Sequence, residues 1–133
     1  EVSGTAAVAP RDYGRLEVSA FCTPTLFKEK FSFTIELKEY YLETTHPDVL
    51  RASEGDCLAP VDFWSVDTDF DGVVFRPDSG AACYRDKKGL CTQMNLEIPA
   101  ESAVNRKIAV RAVDILGNIS YAIIDGGKIF EQD

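Results

Sequence analysis

The stretch KIAVRAVDILGNISYAIID, residues Lys107 to Asp125, carries two alternating segments joined by turn residues. Ile108, Val110 and Ala112 share one face of the first arm, and Ile119, Tyr121 and Ile123 share one face of the second, so the period is two and not 3.6. Between the arms, around Leu116, stand Asp114, Gly117 and Asn118. Gly117 takes a positive φ without steric penalty, Asn118 tolerates one, and the Asp114 carboxylate accepts amides that a tight turn leaves orphaned. This is the signature of a long β-hairpin. A lone hairpin is marginal in water, so the upstream chain must supply strands for it to pair with.

Those strands are legible at intervals of roughly ten residues. Leu16, Val18 and Ala20 alternate with polar positions from Arg15 to Phe21, until Thr23-Pro24-Thr25 interrupts. Phe31, Phe33, Ile35 and Leu37 then alternate against Ser32, Thr34, Glu36 and Lys38, the cleanest half-buried strand in the chain. From Glu39 to Gly55 neither period persists, which predicts a strand end and a long connection, with one helical turn around Pro47 to Ala52 where proline suits a first helical position. Val61 to Asp67 reads as a strand carrying the only tryptophan, Trp64. Gly72 marks a turn, Val73, Val74 and Phe75 begin a return strand, and Pro77 to Gly80 end it. Short strands follow at Ala82 to Arg85 and Met94 to Ile98, then a loop from Pro99 to Asn105. Lys128 to Glu131 extends the sheet or ends as a tail.

Residues 1–14, small and polar with Pro10 and Gly14, read as a flexible lead-in or linker end, leaving 15–133 as one domain. With no sustained amphipathic helix and no internal repeat, the expected fold is all-β: an antiparallel, immunoglobulin-like β-sandwich of about seven to nine strands with little helix.

The 133 residues suffice for one hydrophobic core without a metal or disulfide staple. An apolar fraction of 45% and a charged fraction of 27% are those of an ordinary globular domain. No apolar run approaches the length that spans a bilayer. A net charge of -8 repels phosphate backbones, so tight autonomous nucleic-acid binding is disfavoured. Arg85, Lys87 and Lys88 form the one basic cluster, which reads as a solvated loop. Cys22, Cys57, Cys83 and Cys91 show no C-x-x-C or Cys/His spacing for zinc. They are buried thiols in a reducing compartment or two bridges, and Cys83 with Cys91 is the pair placed to bridge across a short loop if the protein is exported. The chain opens at Glu1 with neither Met nor a basic leader, and reads as an excised fragment or processed product.

The sharpest chemical motif is Asp67-Thr68-Asp69-Phe70-Asp71-Gly72. Alternating carboxylates before a glycine resemble the first half of a calcium loop, with Asp67, Asp69 and Asp71 as hard oxygen donors. Asp78 stands at the twelfth position of such a loop, where its short side chain reaches a bidentate geometry less easily than Glu. The alternative is a hairpin turn whose aspartates bind backbone amides. Catalytic signatures are missing: no G-x-S-x-G, no H-E-x-x-H, no phosphate-cradling glycine loop, and His46 stands alone in a connection. Trp64 reads as core, with Tyr84 the other candidate for an aromatic binding surface.

Taken in order, FSFTIEL (31–37), VDFWSVDTDFDGVVF (61–75), Tyr84-Arg85 and AVRAVDILGNIS (109–120) resemble the C-terminal region of bacterial adenine-specific DNA methyltransferases of the type III restriction-modification kind. The resemblance implies a cytoplasmic, non-catalytic tail module. Its partners would be the catalytic methyltransferase domain of the same chain and the restriction subunit, with DNA contact only through Arg76, Arg85, Lys87 and Lys88. The family's Asp-Pro-Pro-aromatic catalytic motif and its cofactor loop are not in this stretch, so no cofactor is expected here. A second resemblance rests on Ala112, Asp114, Gly117, Asn118 and Ser120, an ending similar to that of bacterial immunoglobulin-like and fibronectin-like surface modules. It implies an exported spacer or adhesion module, with calcium at the aspartate-rich turn.

Overall fold

In the computed structural model, which describes residues 13–23 and 29–130, the 107–125 stretch is a hairpin. Strands β6 (Lys107–Asp114) and β7 (Ile119–Asp125) pair antiparallel from Lys107↔Asp125 to Val113↔Ile119. Gly117 sits at φ 87, in the left-handed region, and its N–H donates to the Asp114 carbonyl at 2.9 Å. The sequence-defined apolar sets fall on opposite faces. Ile108, Val110 and Ala112 belong to the core cluster, whereas Ile119, Tyr121 and Ile123 stand opposite Val113, Arg111 and Ala109, which point away from it.

Strand β3 (Val61–Asp67) pairs with β6 on one side and with the short β4 (Ala82–Tyr84) on the other, giving the four-stranded sheet β4-β3-β6-β7. Strands β1 (Tyr13–Thr23), β2 (Lys30–Glu43) and β5 (Gln93–Pro99) form a second sheet in the order β1-β2-β5. Every pairing is antiparallel. Among the described residues, seven strands in two sheets make an all-β sandwich. Its core is shared by Phe33, Ile35, Leu37 and Tyr40 from one sheet and Trp64, Val66, Ile108 and Val110 from the other. The Trp64 ring is fully buried, and its indole N–H donates to the Cys91 carbonyl at 2.7 Å.

Strand β2 changes phase part-way along its length. Glu17 pairs with Glu39 but Val18 with Leu37, so Lys38 is an extra residue in β2. The bulge turns Tyr40 into the core and leaves Glu39 outside it. The Lys38 carbonyl accepts the Cys57 thiol at 3.7 Å.

Several local expectations change. The first strand begins at Tyr13, so Tyr13 and Gly14 belong to the sheet and not to the lead-in, whose residues 1–12 lie outside the described residues. The interruption at Pro24 and Thr25 also lies outside them. The helical turn is a full helix, α1 (Pro47–Gly55), with proline in its first turn and Val49 as its buried anchor. His46 is the exposed residue that precedes it. The loop expected from Pro99 to Asn105 is a 3-10 helix, Ala100–Asn105, pinned by the buried Ala103. The C-terminal segment neither extends the sheet nor trails as a tail through Phe130. It is helix α2 (Gly126–Phe130), whose first amide donates to the Arg106 carbonyl at 2.7 Å. A Cβ on Gly126 would collide with the Ala103 carbonyl, so the close seating of the two helices depends on that glycine.

The expected return strand at 73–75 does not form: β3 pairs instead with Ala82–Tyr84, and Val73 is 83% exposed. The reason lies in the aspartates, whose carboxylates capture the amides a ladder would need.

No helix among the described residues is long and apolar enough to cross a membrane.

Candidate functional site

Residues on β3 alternate between the core and the opposite face of the sheet, so Trp64 and Val66 point inward while Phe63, Ser65 and Asp67 point outward. The outward residues pair across all four strands. Tyr84, Phe63, Val113 and Ile119 form one row, and Ala82, Ser65, Arg111 and Tyr121 form the next.

The segment 68–81 folds over the second row. Its Phe75 ring lies 4.4 Å from the Arg111 guanidinium carbon and meets Tyr121 edge-on at 5.8 Å. Beneath it Ser65, Asp67 and Ala109 are buried although they face away from the sandwich core. Phe70 N–H donates to the Lys107 carbonyl at 3.0 Å and Asp78 N–H to the Val66 carbonyl at 2.9 Å, tying the cover to the sheet at two points.

The aspartates of the sequence motif hold this cover together. Asp67 accepts the Asp69 amide at 2.9 Å and the Arg76 amide at 2.8 Å, one on each oxygen. Asp71 accepts the Val73 and Val74 amides at 2.7 and 2.9 Å on one oxygen and the Arg76 guanidinium at 2.9 Å on the other. Arg76 and these amides hold the Asp71 carboxyl at about 2, well below the usual carboxylate range. Asp78 accepts the Thr68 amide at 3.0 Å and the Thr68 hydroxyl at 2.5 Å. Asp69 is exposed. Among the described residues, no group of three or more His, Cys, Asp or Glu side chains is gathered as a metal cage.

The four candidate basic contacts are divided in the same way. Arg76 is tied to Asp71. The Arg85 Nε and Nη2 donate to the Val61 and Leu58 carbonyls, both at 2.9 Å, fastening the end of β4 to the start of β3. Lys87 and Lys88 are exposed in the following turn. The structure therefore gathers Arg85, Lys87 and Lys88 at one end of β4 and uses two of the four cations structurally.

The first row, by contrast, is left uncovered. Tyr84 is 65% exposed while stacking on Phe63 at 5.1 Å, and Ile119 is 55% exposed at the far end. Ile115, at the hairpin tip, is also half exposed. Sequence reading singled out Tyr84 but not its companions. The available signal was the phase of the hairpin: Val113 and Ile119 flank the turn symmetrically and lie out of phase with Ile108, Val110 and Ala112. Only cross-strand register reveals that they join Phe63 and Tyr84 in one row.

An open groove of about 820 Å³ lies elsewhere, between the face of the three-stranded sheet and the 78–80 turn, lined by Phe21, Thr34, Asn95 and Asp78 among others. Its lining holds no His or Cys, and the Asp78 carboxylate is already engaged by Thr68.

Comparison with protein-family models, with curated proteins and with solved structures finds no match to this chain.

Proposed function

We propose that this chain is a non-catalytic accessory module that docks onto a neighbouring protein domain through the uncovered row Tyr84, Phe63, Val113 and Ile119. The observation that carries this reading is a contiguous apolar row, exposed at Tyr84 and Ile119 and half-buried at Phe63 and Val113, on a sheet face whose next row is covered by the chain's own 68–81 segment. Contiguous exposed apolar surface of this kind marks interaction sites on soluble domains. Stacked Tyr84 and Phe63 supply the rigid aromatic area that anchors such interfaces.

The domain it serves, on this proposal, is the catalytic part of a bacterial adenine-specific DNA methyltransferase of the type III restriction-modification kind, with the restriction subunit as a further partner. The support is the ordered resemblance of residues 31–37, 61–75, 84–85 and 109–120. Those segments include β3 and the hairpin turn, and they carry all four members of the row, Tyr84, Phe63, Val113 and Ile119. A direct DNA role is disfavoured by the net charge of -8 and by the engagement of Arg76 and Arg85.

The test combines sequence context with binding. The parent polypeptide is expected to hold an Asp-Pro-Pro-aromatic methyltransferase motif, and this chain is expected to bind the separately produced domain that contains it. Tyr84→Ser with Ile119→Ser should weaken that association at least tenfold by calorimetry while leaving the far-ultraviolet spectrum unchanged. A parent polypeptide without the motif removes the methyltransferase assignment. Unchanged affinity in the double variant removes the docking face. Fluorescence anisotropy with duplex DNA at low ionic strength should show no binding.

The closeness of the Cys83 and Cys91 thiols favours a second reading, an exported immunoglobulin-like or fibronectin-like spacer module. Export in a host carrying the full gene would select it over the cytoplasmic one.

A further inference from the structure

Four cysteines are present and none is in a disulfide in this structure, but two of them are brought together by the same tryptophan. Cys83 stands opposite Trp64 in the β3–β4 ladder and packs against the core cluster. The Trp64 indole N–H, reaching past β4, donates to the carbonyl of Cys91 at 2.7 Å. The chain between them is a small hairpin. Asp86 and Gly89 exchange both backbone hydrogen bonds at 3.0 Å, Gly89 takes φ 115, and the Asp86 carboxylate accepts the Lys88 amide at 2.8 Å. Cys83 lies three residues before that bridge and Cys91 two residues after it, one on each arm.

We infer that Cys83 and Cys91 are a dithiol–disulfide couple, oxidised by a small-molecule or protein disulfide to an intrachain bond that closes the 83–91 hairpin. The Cys91 thiol, which donates to the Gln93 carbonyl at 3.2 Å, is near enough to act on Cys83, and the two differ in a way that orders the steps. Burial first, then the neighbouring Cys91, pushes the Cys83 thiol up to about 11, while Cys91 is exposed to solvent. Cys91 is therefore the sulfur that an oxidant reaches.

With glutathione disulfide as oxidant, the Cys91 thiolate attacks one sulfur, its proton having gone to water, and one glutathione leaves as thiolate. Cys83 then gives its proton to that departing thiolate or to water. Its sulfur attacks Cys91 Sγ and expels the second glutathione. Two S–H bonds and one S–S bond are exchanged for one new protein S–S bond and two molecules of reduced glutathione, so electrons balance. The bond would lock β4 to the chain that follows it, fixing the arm that presents Tyr84 and Arg85. It holds whether the sandwich serves a methyltransferase or an exported protein, since it rests on the hairpin alone.

The experiment incubates the purified protein with glutathione disulfide at neutral pH, then blocks remaining thiols under denaturing conditions and maps the peptides by mass spectrometry. The expected result is a single Cys83–Cys91 cross-linked peptide, with Cys22 and Cys57 alkylated, and a melting temperature several degrees above that of the dithiothreitol-treated protein. The Cys22→Ser, Cys57→Ser double variant should form the same bond. Cys91→Ser, at an exposed position, should fold normally and show no oxidation-dependent rise in melting temperature. Four alkylated cysteines after oxidation, a stable glutathione adduct on Cys91 that does not resolve, or a cross-link involving Cys22 or Cys57 would each overturn the inference.

Discussion

The hydroxyl of Tyr40 donates to Asp114 Oδ2 at 2.6 Å, joining the bulged strand of one sheet to the hairpin turn of the other, with both residues only 2% exposed. Asp114 is already the centre of that turn: its Oδ1 accepts the Leu116 and Asn118 amides, both at 2.9 Å, and its Oδ2 also accepts the Asn118 side-chain amide at 3.2 Å. The residue that reads in the sequence as local turn chemistry is thus also the polar link between the layers of the sandwich. The link exists because the Lys38 bulge brings Tyr40, and not Glu39, inside.

Tyr40→Phe removes one donor from a buried carboxylate that keeps three others, and should cost about 1–2 kcal/mol. Asp114→Ala orphans the whole set and should cost about 3 kcal/mol or more. Urea denaturation followed through Trp64 fluorescence measures both, and equal costs would show that Tyr40 carries the link alone.

Gly14 should matter for the same contact. A Cβ there would stand 2.6 Å from Tyr40 Cζ and 2.7 Å from Ser120 Oγ, inside normal contact distance. Gly14→Ala is expected to displace the tyrosine and cost at least as much as Tyr40→Phe. Because both changes act on one hydrogen bond, the double variant should be less destabilised than the sum of the single changes, a coupling that a double-mutant cycle reads directly. Strict additivity would show that Gly14 acts elsewhere.

Alkaline stability should follow the same tyrosine. Burial, and then the hydrogen bond to Asp114, raise Tyr40 far above its ordinary value of 10.0. A group whose folded pKa is raised contributes stability that is complete below its unfolded value and is lost as pH climbs from there towards the folded one. The protein should therefore lose stability progressively above about pH 10, and Tyr40→Phe should lack that component of the loss. Parallel profiles for the two proteins would assign the alkaline transition to another group.

Acid acts on the other side of the molecule. Asp71 is held at about 2 against an ordinary 3.8, by Arg76 first and then by the Val74 and Val73 amides. A depressed carboxyl contributes above its unfolded value and loses that contribution as pH falls towards the folded one, so the 68–81 cover should loosen between about pH 4 and 2. The Val73 and Val74 amide resonances should titrate with Asp71, and Arg76→Ala should move that midpoint upward. Since both oxygens of Asp67 and of Asp71 already accept protein donors, millimolar Ca²⁺ should leave the melting temperature unchanged. A rise would mean that the ion displaces those donors.

The strands from Phe31 to Leu37 and from Lys107 to Asp125 were legible because each buries one face and a period of two follows from that alone. Val73 to Phe75 was misread for an equally physical reason. Its apolar side chains look like a strand, but the deciding partners are the Asp67 and Asp71 carboxylates, which take the amides of Val73, Val74 and Arg76 before any strand can. The bulge at Lys38 and the row from Tyr84 to Ile119 were invisible for a third reason. Both are properties of register between distant strands, which no single segment encodes.

The sheet face beneath Phe75 yields a prediction of opposite sign. Ser65 Oγ and Arg111 Nε are buried side by side on paired strands, and neither atom has a hydrogen-bond partner among the described residues. Arg111 is compensated by the Phe75 ring at 4.4 Å, but the Ser65 hydroxyl is desolvated with nothing in return. Removing such a group restores the lost desolvation energy and leaves only a small gap, so Ser65→Ala should be neutral or stabilising by up to about 1 kcal/mol. Most buried substitutions destabilise, which makes the direction diagnostic. Thermal and urea melts of Ser65→Ala measure it. A loss of 1 kcal/mol or more would mean that the hydroxyl does have a partner in solution, and the place to find it is the space between Ser65 and Arg111.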